Sequence, residues 1–448
     1  MGAYFTATDH IFEAAGSVDI AVLLSFFLYW NRRSTKERKA DRESRERRNK
    51  YMAAQLKKVD ATAVPAPPAH TRELTLEELR SVQFILEEGL KSVDDFSNIG
   101  IFDQFQTASI RYKLYERLYL LAMYQAIYVP NLRGYLTQSF QNTLEKSLHP
   151  RSIGFWKWEC LWGKFTLDWD PVKKDDIMVS GWFLKAVTLY TALNGDQQYT
   201  RPDGIKFRIT NEIVYRYSVH SLSKAIVDQW AAAPLCLFPC EPGWIYTTCN
   251  LYGMVGQIFY DHIFGTSYST KIAPKFEAQL DTEFTGLSGR ALTICNQLTG
   301  FTIPGAAGVL NDLMTAFLLR GHLDYIARRM WAIFREEMIR FDETTGDVKL
   351  IDLVGADNID IGNYKVGNIH LFAQLAAVAG EFGDEPLRQA CRENLKRRVG
   401  FITTSTGATR LNPELTSDTM NTMYTKSGIL RHEDWKKLVQ EVGLPKKP

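Results

Sequence analysis

The chain has 448 residues, with 53 Lys and Arg against 51 Asp and Glu and a net charge of +2. That length points to one large helical fold or two domains, and so balanced a charge excludes the concentrated basic field of a general nucleic-acid binder. Hydrophobic residues are 45% and aromatic residues 12%, an ordinary globular composition, while six cysteines are too few for a disulfide scaffold and point to reduced thiols and an intracellular setting.

From the N-terminus, Val18 to Trp30 (VDIAVLLSFFLYW) is apolar over 13 residues, where a spanning helix needs about 20. Extending it back to Ile11 takes in Glu13 and Asp19. With no basic segment before it and no small-residue cleavage site, it does not read as a secretory signal. Asn31 to Lys50 carries ten Lys/Arg and four Asp/Glu. Such a flank would leave the following domain in the cytoplasm if the apolar run is an anchor. Two readings of residues 1–50 stand: membrane association through residues 11–30, or a helix packed on the body or a neighbouring subunit, with a charged solvated helix behind it. Residues 51–70 are expected as a linker because Ala61 to His70 (ATAVPAPPAH) has three prolines and no apolar period. The catalytic body is expected over 71–448.

That body reads as serial helices. Thr75 and Glu78 have capping-box spacing. Val179, Trp182, Phe183, Ala186, Val187, Tyr190 and Leu193 recur at helical spacing, the mark of one buried face. The pattern returns over Leu251–Ile263, Leu310–Leu318 and Ile369–Ala377, with Gly195, Gly265, Gly321 and Gly380 or Gly383 near the ends, where helices favour glycine. Strand alternation is weak, and residues 200–213 suggest a small hairpin or an insertion.

Between two helical runs lies Phe238 to Asn250 (FPCEPGWIYTTCN), a loop shaped by two prolines and a glycine. Loops held by a rigid scaffold are where sites concentrate. Cys249 and Asn250 open the next helix, where the dipole favours a thiolate. Cys240, Cys249 and Glu241 could exchange protons with one substrate, or the cysteines could be small buried hydrophobes. A zinc site is disfavoured, because Cys-x8-Cys is not a zinc spacing and His220 and His262 lie well outside the loop. No glycine-rich phosphate loop or aspartate-rich diphosphate motif gives reason to expect a nucleotide or a metal.

Several segments resemble the linalool dehydratase-isomerase family: Leu161-Trp162-Gly163, Asp170-Pro171, Asp176-Ile177-Met178 with Gly181, Cys240-Glu241-Pro242 with Cys249-Asn250, and Tyr260-Asp261 with Gly265-Thr266 and Tyr268. The likeness is densest over Cys160–Tyr268 and collinear from about Thr75 to Cys391. It implies an all-α (α,α)6 barrel with the N-terminal helices as an extension, and a homo-oligomer whose neighbouring subunit completes each site. It also implies cofactor-free removal of water from a tertiary allylic alcohol, or migration of its hydroxyl. The family cysteines match Cys240 and Cys249, its pocket methionine matches Met178, the carboxylate after the first cysteine is Glu241, and the phenylalanine between the cysteines corresponds to Tyr246.

The departures are instructive. The family's pocket histidine aligns with Trp182, and a family tyrosine aligns near Leu310. The aspartate given by the neighbour falls at Asp94 or Asp95, with no matching tyrosine. The resulting expectation is a lyase, isomerase or cyclase acting on a small apolar prenyl-derived substrate, a terpenoid or prenylated aromatic tertiary alcohol or epoxide, through a carbocation-like state in fungal secondary metabolism, with Trp182 suiting a larger aromatic or polycyclic member of that class. Glu241 or Asp95 would be the acid, with Cys240 and Cys249 as base, acid or transient nucleophile. Met178, Trp182, Trp244, Tyr246 and Asn250 would contact substrate, and no metal or other cofactor is expected. Two other classes stay open. One is a glycoside-active barrel using Asp357 and Asp360. The other is a non-catalytic membrane-attached scaffold, in which the two cysteines would line no pocket.

Overall fold

The structure, a computed structural model, describes residues 9–97, 99, 108–303, 308–359 and 366–442, and the backbone alone at 9–15, 108–109 and 356. In chain order its helices are α1 (Asp9–Thr62), α2 (Leu76–Leu90), α3 (Ala108–Tyr128), α4 (Thr137–Ser147), α5 (Pro150–Ile153), α6 (Trp156–Lys164), α7 (Ile177–Asn194) and α8 (Val219–Ala232). There follow α9 (Thr247–Phe264), α10 (Tyr268–Thr282), α11 (Gly308–Leu319), α12 (Asp324–Glu337), α13 (His370–Glu381), α14 (Glu385–Val399), α15 (Asp418–Ile429) and α16 (Asp434–Glu441). Short antiparallel ribbons join β1 (Ile205–Arg208) to β2 (Val214–Tyr217), β3 (Trp244–Tyr246) to β4 (Ile294–Asn296), β5 (Ile339–Asp342) to β6 (Asp347–Leu350) and β7 (Phe401–Thr403) to β8 (Thr409–Leu411).

Six helices close a ring. α3 packs on α7, α7 on α9, α9 on α11, α11 on α13, α13 on α15, and α15 returns to α3. Between successive ring members the chain passes through α4, α8, α10, α12 and α14 in turn. This alternation is the expected (α,α)6 barrel. Burial follows the layers. α13 and α15 are buried at every position, as an inner helix must be. α12, outside the ring, turns Ile326, Met330, Trp331 and Phe334 inward and sends Arg328, Arg329 and Arg335 to Asp60, Asp281 and Asp384. The tightest ring contact depends on glycine: a Cβ at Gly256 of α9 would stand 2.6 Å from the Lys185 backbone nitrogen of α7. α16 packs on α3, α9 and α13, and its buried Trp435 stacks on Phe317 with centroids 5.1 Å apart.

The local signals hold where they were explicit. Thr75 and Glu78 form a reciprocal capping box, Gly195 and Gly265 end α7 and α9 at φ of 68° and 66°, and residues 205–217 form the β1–β2 hairpin. The linker is shorter than expected. α1 runs unbroken to Thr62 because its second half is packed: Arg48 and Tyr51 both bond Glu337 of α12, at 2.6 and 2.7 Å, and Gln55 and Val59 are buried. Only residues 63–75, holding the prolines, remain between α1 and α2. Among the described residues no helix is long and apolar enough to cross a membrane.

Candidate active site

The loop ahead of α9 is folded by its own sequence. Pro242 and Gly243 occupy the corners of a turn in which the Trp244 amide donates to the Glu241 carbonyl at 2.8 Å. Gly243 sits at φ 79°, as the third position of a type II turn requires. The Cys240 amide donates back to the Trp244 carbonyl at 2.9 Å, and β3 then pairs Tyr246 with Ile294 of β4. Asn250, fully buried, clasps the loop with four hydrogen bonds. Its Oδ1 accepts from Trp230 Nε1 at 3.0 Å and from the Phe238 amide at 3.2 Å, while its Nδ2 donates to the Phe238 and Tyr246 carbonyls at 3.0 Å each. The result is that the Cys240 thiol donates to Cys249 Sγ at 3.5 Å.

Cys249 lies in the first turn of α9 and opens onto a mainly apolar cavity of about 220 Å³. All six ring helices line it, nearly all from their N-terminal halves: Tyr112 and Glu116 from α3, Trp182 from α7, Thr248 and Cys249 from α9, Leu310, Asn311 and Met314 from α11, His370 and Gln374 from α13, and Thr419, Met420 and Met423 from α15. Tyr246, Thr293 and Ile294 of the β3–β4 region complete the wall. Two of the departures from the family pattern, Trp182 and Leu310, are therefore on this wall. The Trp182 indole stacks on Tyr252 at 3.8 Å between centroids and tilts against Tyr112 at 5.3 Å.

Charge and proton affinity are arranged around this cavity. Burial, then the bond to Cys249, pushes the Cys240 thiol well above its ordinary range, so Cys240 stays protonated. Tyr246 donates to the Glu241 carboxylate at 3.1 Å; burial and that carboxylate push its phenol up. Asp176, the N-cap of α7, accepts from the Val179 amide at 3.1 Å, and burial raises it to about 8. Glu116 accepts from Tyr252 at 2.8 Å and from Lys426 at 3.5 Å. Beside it Lys185 lies 3.7 Å from the Tyr119 ring centroid, and burial draws its amine well below the usual lysine range. Trp182 Nε1, Asn311 Nδ2 and Thr419 Oγ1 are buried polar atoms of wall residues with no hydrogen-bond partner among the described residues.

Of the residues singled out by sequence, the structure brings Cys249, Trp182 and Tyr246 to the cavity, with Cys240 behind Cys249 and Glu241 behind the Tyr246 hydroxyl. Four others are not on this wall. Asn250 is spent on the loop clasp. Met178 is buried against Arg111, whose Nη2 lies 3.5 Å from its sulfur. Trp244 packs towards Phe301 at 6.4 Å. Asp95 belongs to an exposed turn after α2, where it accepts from the Ser97 amide at 2.9 Å. Sequence reasoning missed Glu116, His370, Asn311 and Thr419. The available signal was polar residues interrupting otherwise buried runs, as Glu116 does among the aromatics of α3. The glycoside reading loses its first carboxylate: fully buried Asp357 caps α11 by accepting from the Val309 and Leu310 amides at 3.0 and 3.1 Å. Asp360 lies outside the described residues. Among the described residues no cluster of three or more His, Cys, Asp or Glu could hold a metal.

The sequence matches the family model described as linalool dehydratase/isomerase over residues 111–416. The chain belongs to the linalool dehydratase/isomerase family. That match takes in the five ring helices from Arg111 of α3 through α13, with α14, and it leaves α1, α2, α15 and α16 outside. Family membership supports an enzyme of dehydratase/isomerase type. Comparison with curated proteins gives no match. Solved structures similar to this linalool dehydratase/isomerase family member include an unsaturated glucuronyl hydrolase specific for heparin (TM-score 0.45, 9% identity, 81% of this chain and 98% of that one). Another is the unsaturated glucuronyl hydrolase of Bacillus sp. GL1 (TM-score 0.43, 11% identity, 82% and 96%). A third is a family 105 glycoside hydrolase of C. acetobutylicum (TM-score 0.43, 10% identity, 81% and 100%).

Proposed function

We propose that this enzyme removes water from a small prenyl-derived tertiary alcohol, or moves its hydroxyl, at the cavity beside Cys249. The observation that carries the reading is the meeting of a thiol pair with aromatic walls in one mainly apolar cavity. At about 220 Å³ the cavity lies below the roughly 300–1,000 Å³ of drug-sized ligand sites. It therefore suits a single prenyl-sized chain better than a polycycle.

In this mechanism the Cys249 thiol protonates the departing hydroxyl. The C–O bond breaks, water leaves with the bonding pair, and an allylic cation remains. The partial positive end of α9 faces the sulfur anion, and the Cys240 thiol, which keeps its proton, donates a hydrogen bond to it at 3.5 Å. Trp182 and Tyr246 offer π faces to the cation. His370 takes a proton from the carbon next to the cation to give a diene, or from a water that adds at the other allylic end to give the isomer; either way the proton balance closes. Imidazole is the side chain that most often serves as general base in such a transfer. Asn311 and Thr419 supply hydrogen-bonding groups for the substrate hydroxyl. No step in this scheme passes through a metal or organic cofactor. Asp95, half-buried in a turn away from the cavity of its own chain, acts only if a neighbouring copy receives it.

The test is turnover of a panel of prenyl-derived tertiary alcohols and the related epoxides in EDTA, for wild type, Cys240→Ala and Cys249→Ala. The reading requires wild-type turnover that falls about 10²-fold or more in both variants. Turnover that survives Cys249→Ala overturns it.

A further inference from the structure

The end of α1 ahead of Trp30 takes no part in the barrel. From Val18 to Tyr29 nine large apolar side chains stand 52–67% exposed. They include the unbroken runs Val22–Leu24 and Phe26–Tyr29, so at 3.6 residues per turn they cover the whole circumference of the helix. A helix that pairs with another, or lies flat on a surface, shows one apolar stripe; a helix apolar all round is suited to an apolar medium on every side. Directly behind it, Arg32, Arg33, Lys36, Arg38 and Lys39 stand exposed against the single acid Glu37, a collar complementary to anionic headgroups. Trp30 is where the helix meets the body, 5.2 Å from the Phe301 ring. Around that contact the loop after β4 exposes Leu298 by 90% and Phe301 and Ile303 by 39% each.

We infer that the apolar end of α1 enters an anionic lipid bilayer to about the depth of one leaflet, with its basic collar among the headgroups and the loop after β4 at the membrane surface. Val18 to Tyr29 measures about 18 Å along the helix, against a hydrocarbon core of about 30 Å, and α1 begins nine residues earlier with Asp9, Glu13 and Asp19 at that end, so the helix enters one leaflet tilted, with its acidic end turned back towards the headgroups. β4 and the residue before it, Ile294 and Thr293, line the cavity, so this docking brings one wall of the cavity close to lipid. Delivery of an apolar substrate from the bilayer follows only on the function proposed above; the docking does not depend on it.

The test is flotation of the purified full-length chain with vesicles of phosphatidylcholine alone or with about one-third phosphatidylserine. Two variants are compared with wild type: Leu23→Ser/Phe26→Ser/Phe27→Ser and Arg32→Gln/Arg33→Gln/Arg38→Gln. All six positions are exposed, so circular dichroism and thermal melting should match wild type. The inference expects wild type to float with anionic vesicles, the serine variant to bind roughly tenfold or more weakly, and the glutamine variant to lose the preference for anionic over neutral lipid. It is overturned if wild type floats with neither vesicle, or if the serine variant floats as wild type does. It is also overturned if sedimentation shows that the serine substitutions only dissociate copies of the chain without changing vesicle binding.

Discussion

Replacing Asn250 with alanine isolates the physics of the site. The change removes one acceptor serving two donors, Trp230 Nε1 and the Phe238 amide, and one donor group serving two carbonyls, those of Phe238 and Tyr246. All lie in the interior, where a polar group left without its partner costs about 1–3 kcal/mol. At the lower end for each of the four, the loss is about 4 kcal/mol, a large share of the roughly 5–15 kcal/mol that holds a folded domain. With a urea dependence of at least about 3 kcal/mol per M, the midpoint falls by on the order of 1 M. Asn250→Asp keeps the acceptor and should lose less, although it sets a carboxylate against two carbonyls. The assay is equilibrium urea unfolding followed by tryptophan fluorescence, alongside activity well below the midpoint. Activity should fall even where the alanine variant is fully folded, because the clasp fixes the 3.5 Å separation of the two thiols. A midpoint shift worth less than about 1 kcal/mol would refute the claim that Asn250 is the clasp.

Other expectations follow from the same geometry. His370→Gln should lower kcat about 10²–10⁴-fold with little change in KM, if the imidazole is the base; steady-state kinetics on the best substrate of the panel decides this. Trp182→Leu should lower kcat by up to about 30-fold through loss of the π face, which is worth up to about 2 kcal/mol to a desolvated cation, while the urea midpoint reports its separate packing cost. Gly256→Ala drives a Cβ to 2.6 Å from the Lys185 backbone and should cost about 1–3 kcal/mol of stability in thermal or urea unfolding. Burial raises Asp176 from 3.8 to about 8, so its folded-state proton stabilises the protein fully below the unfolded value and less as pH rises through about 8. The melting temperature should therefore decline across that window, and Asp176→Asn should flatten the decline; a wild-type profile that rises there contradicts the assignment.

Much of the barrel is legible in the sequence because inner helices must be apolar nearly all round, so the run from Val179 to Leu193 and its counterparts after Leu251 and Leu310 show through. The ring itself is not written in any one segment: its closure depends on α15 meeting α3, with Arg117 and Asp418 paired 301 residues apart. α15 (DTMNTMYTKSGI) hides further, since its buried polar residues answer partners such as Glu116 and Arg117 that only tertiary packing supplies. The cysteine loop is conspicuous because Pro242, Gly243 and the two thiols are local. What each residue does there is not: Asn250 looks like a ligand beside Cys249 and proves to be the clasp, while Met178 lies one turn before Trp182 yet faces Arg111. His370 and Asn311 reach the cavity from helices more than sixty residues beyond the loop, and no spacing could link them to it.

The central claim is that C–O cleavage at this cavity passes through a cation made by proton transfer from Cys249. Incubating a tertiary allylic alcohol substrate in ¹⁸O-water and recovering the unreacted alcohol tests it most directly, because water that traps the cation leaves its label there. The account predicts label in the recovered alcohol and in its isomer with wild type, and none with Cys249→Ala. Turnover of the alcohol by wild type with no label in either would contradict it.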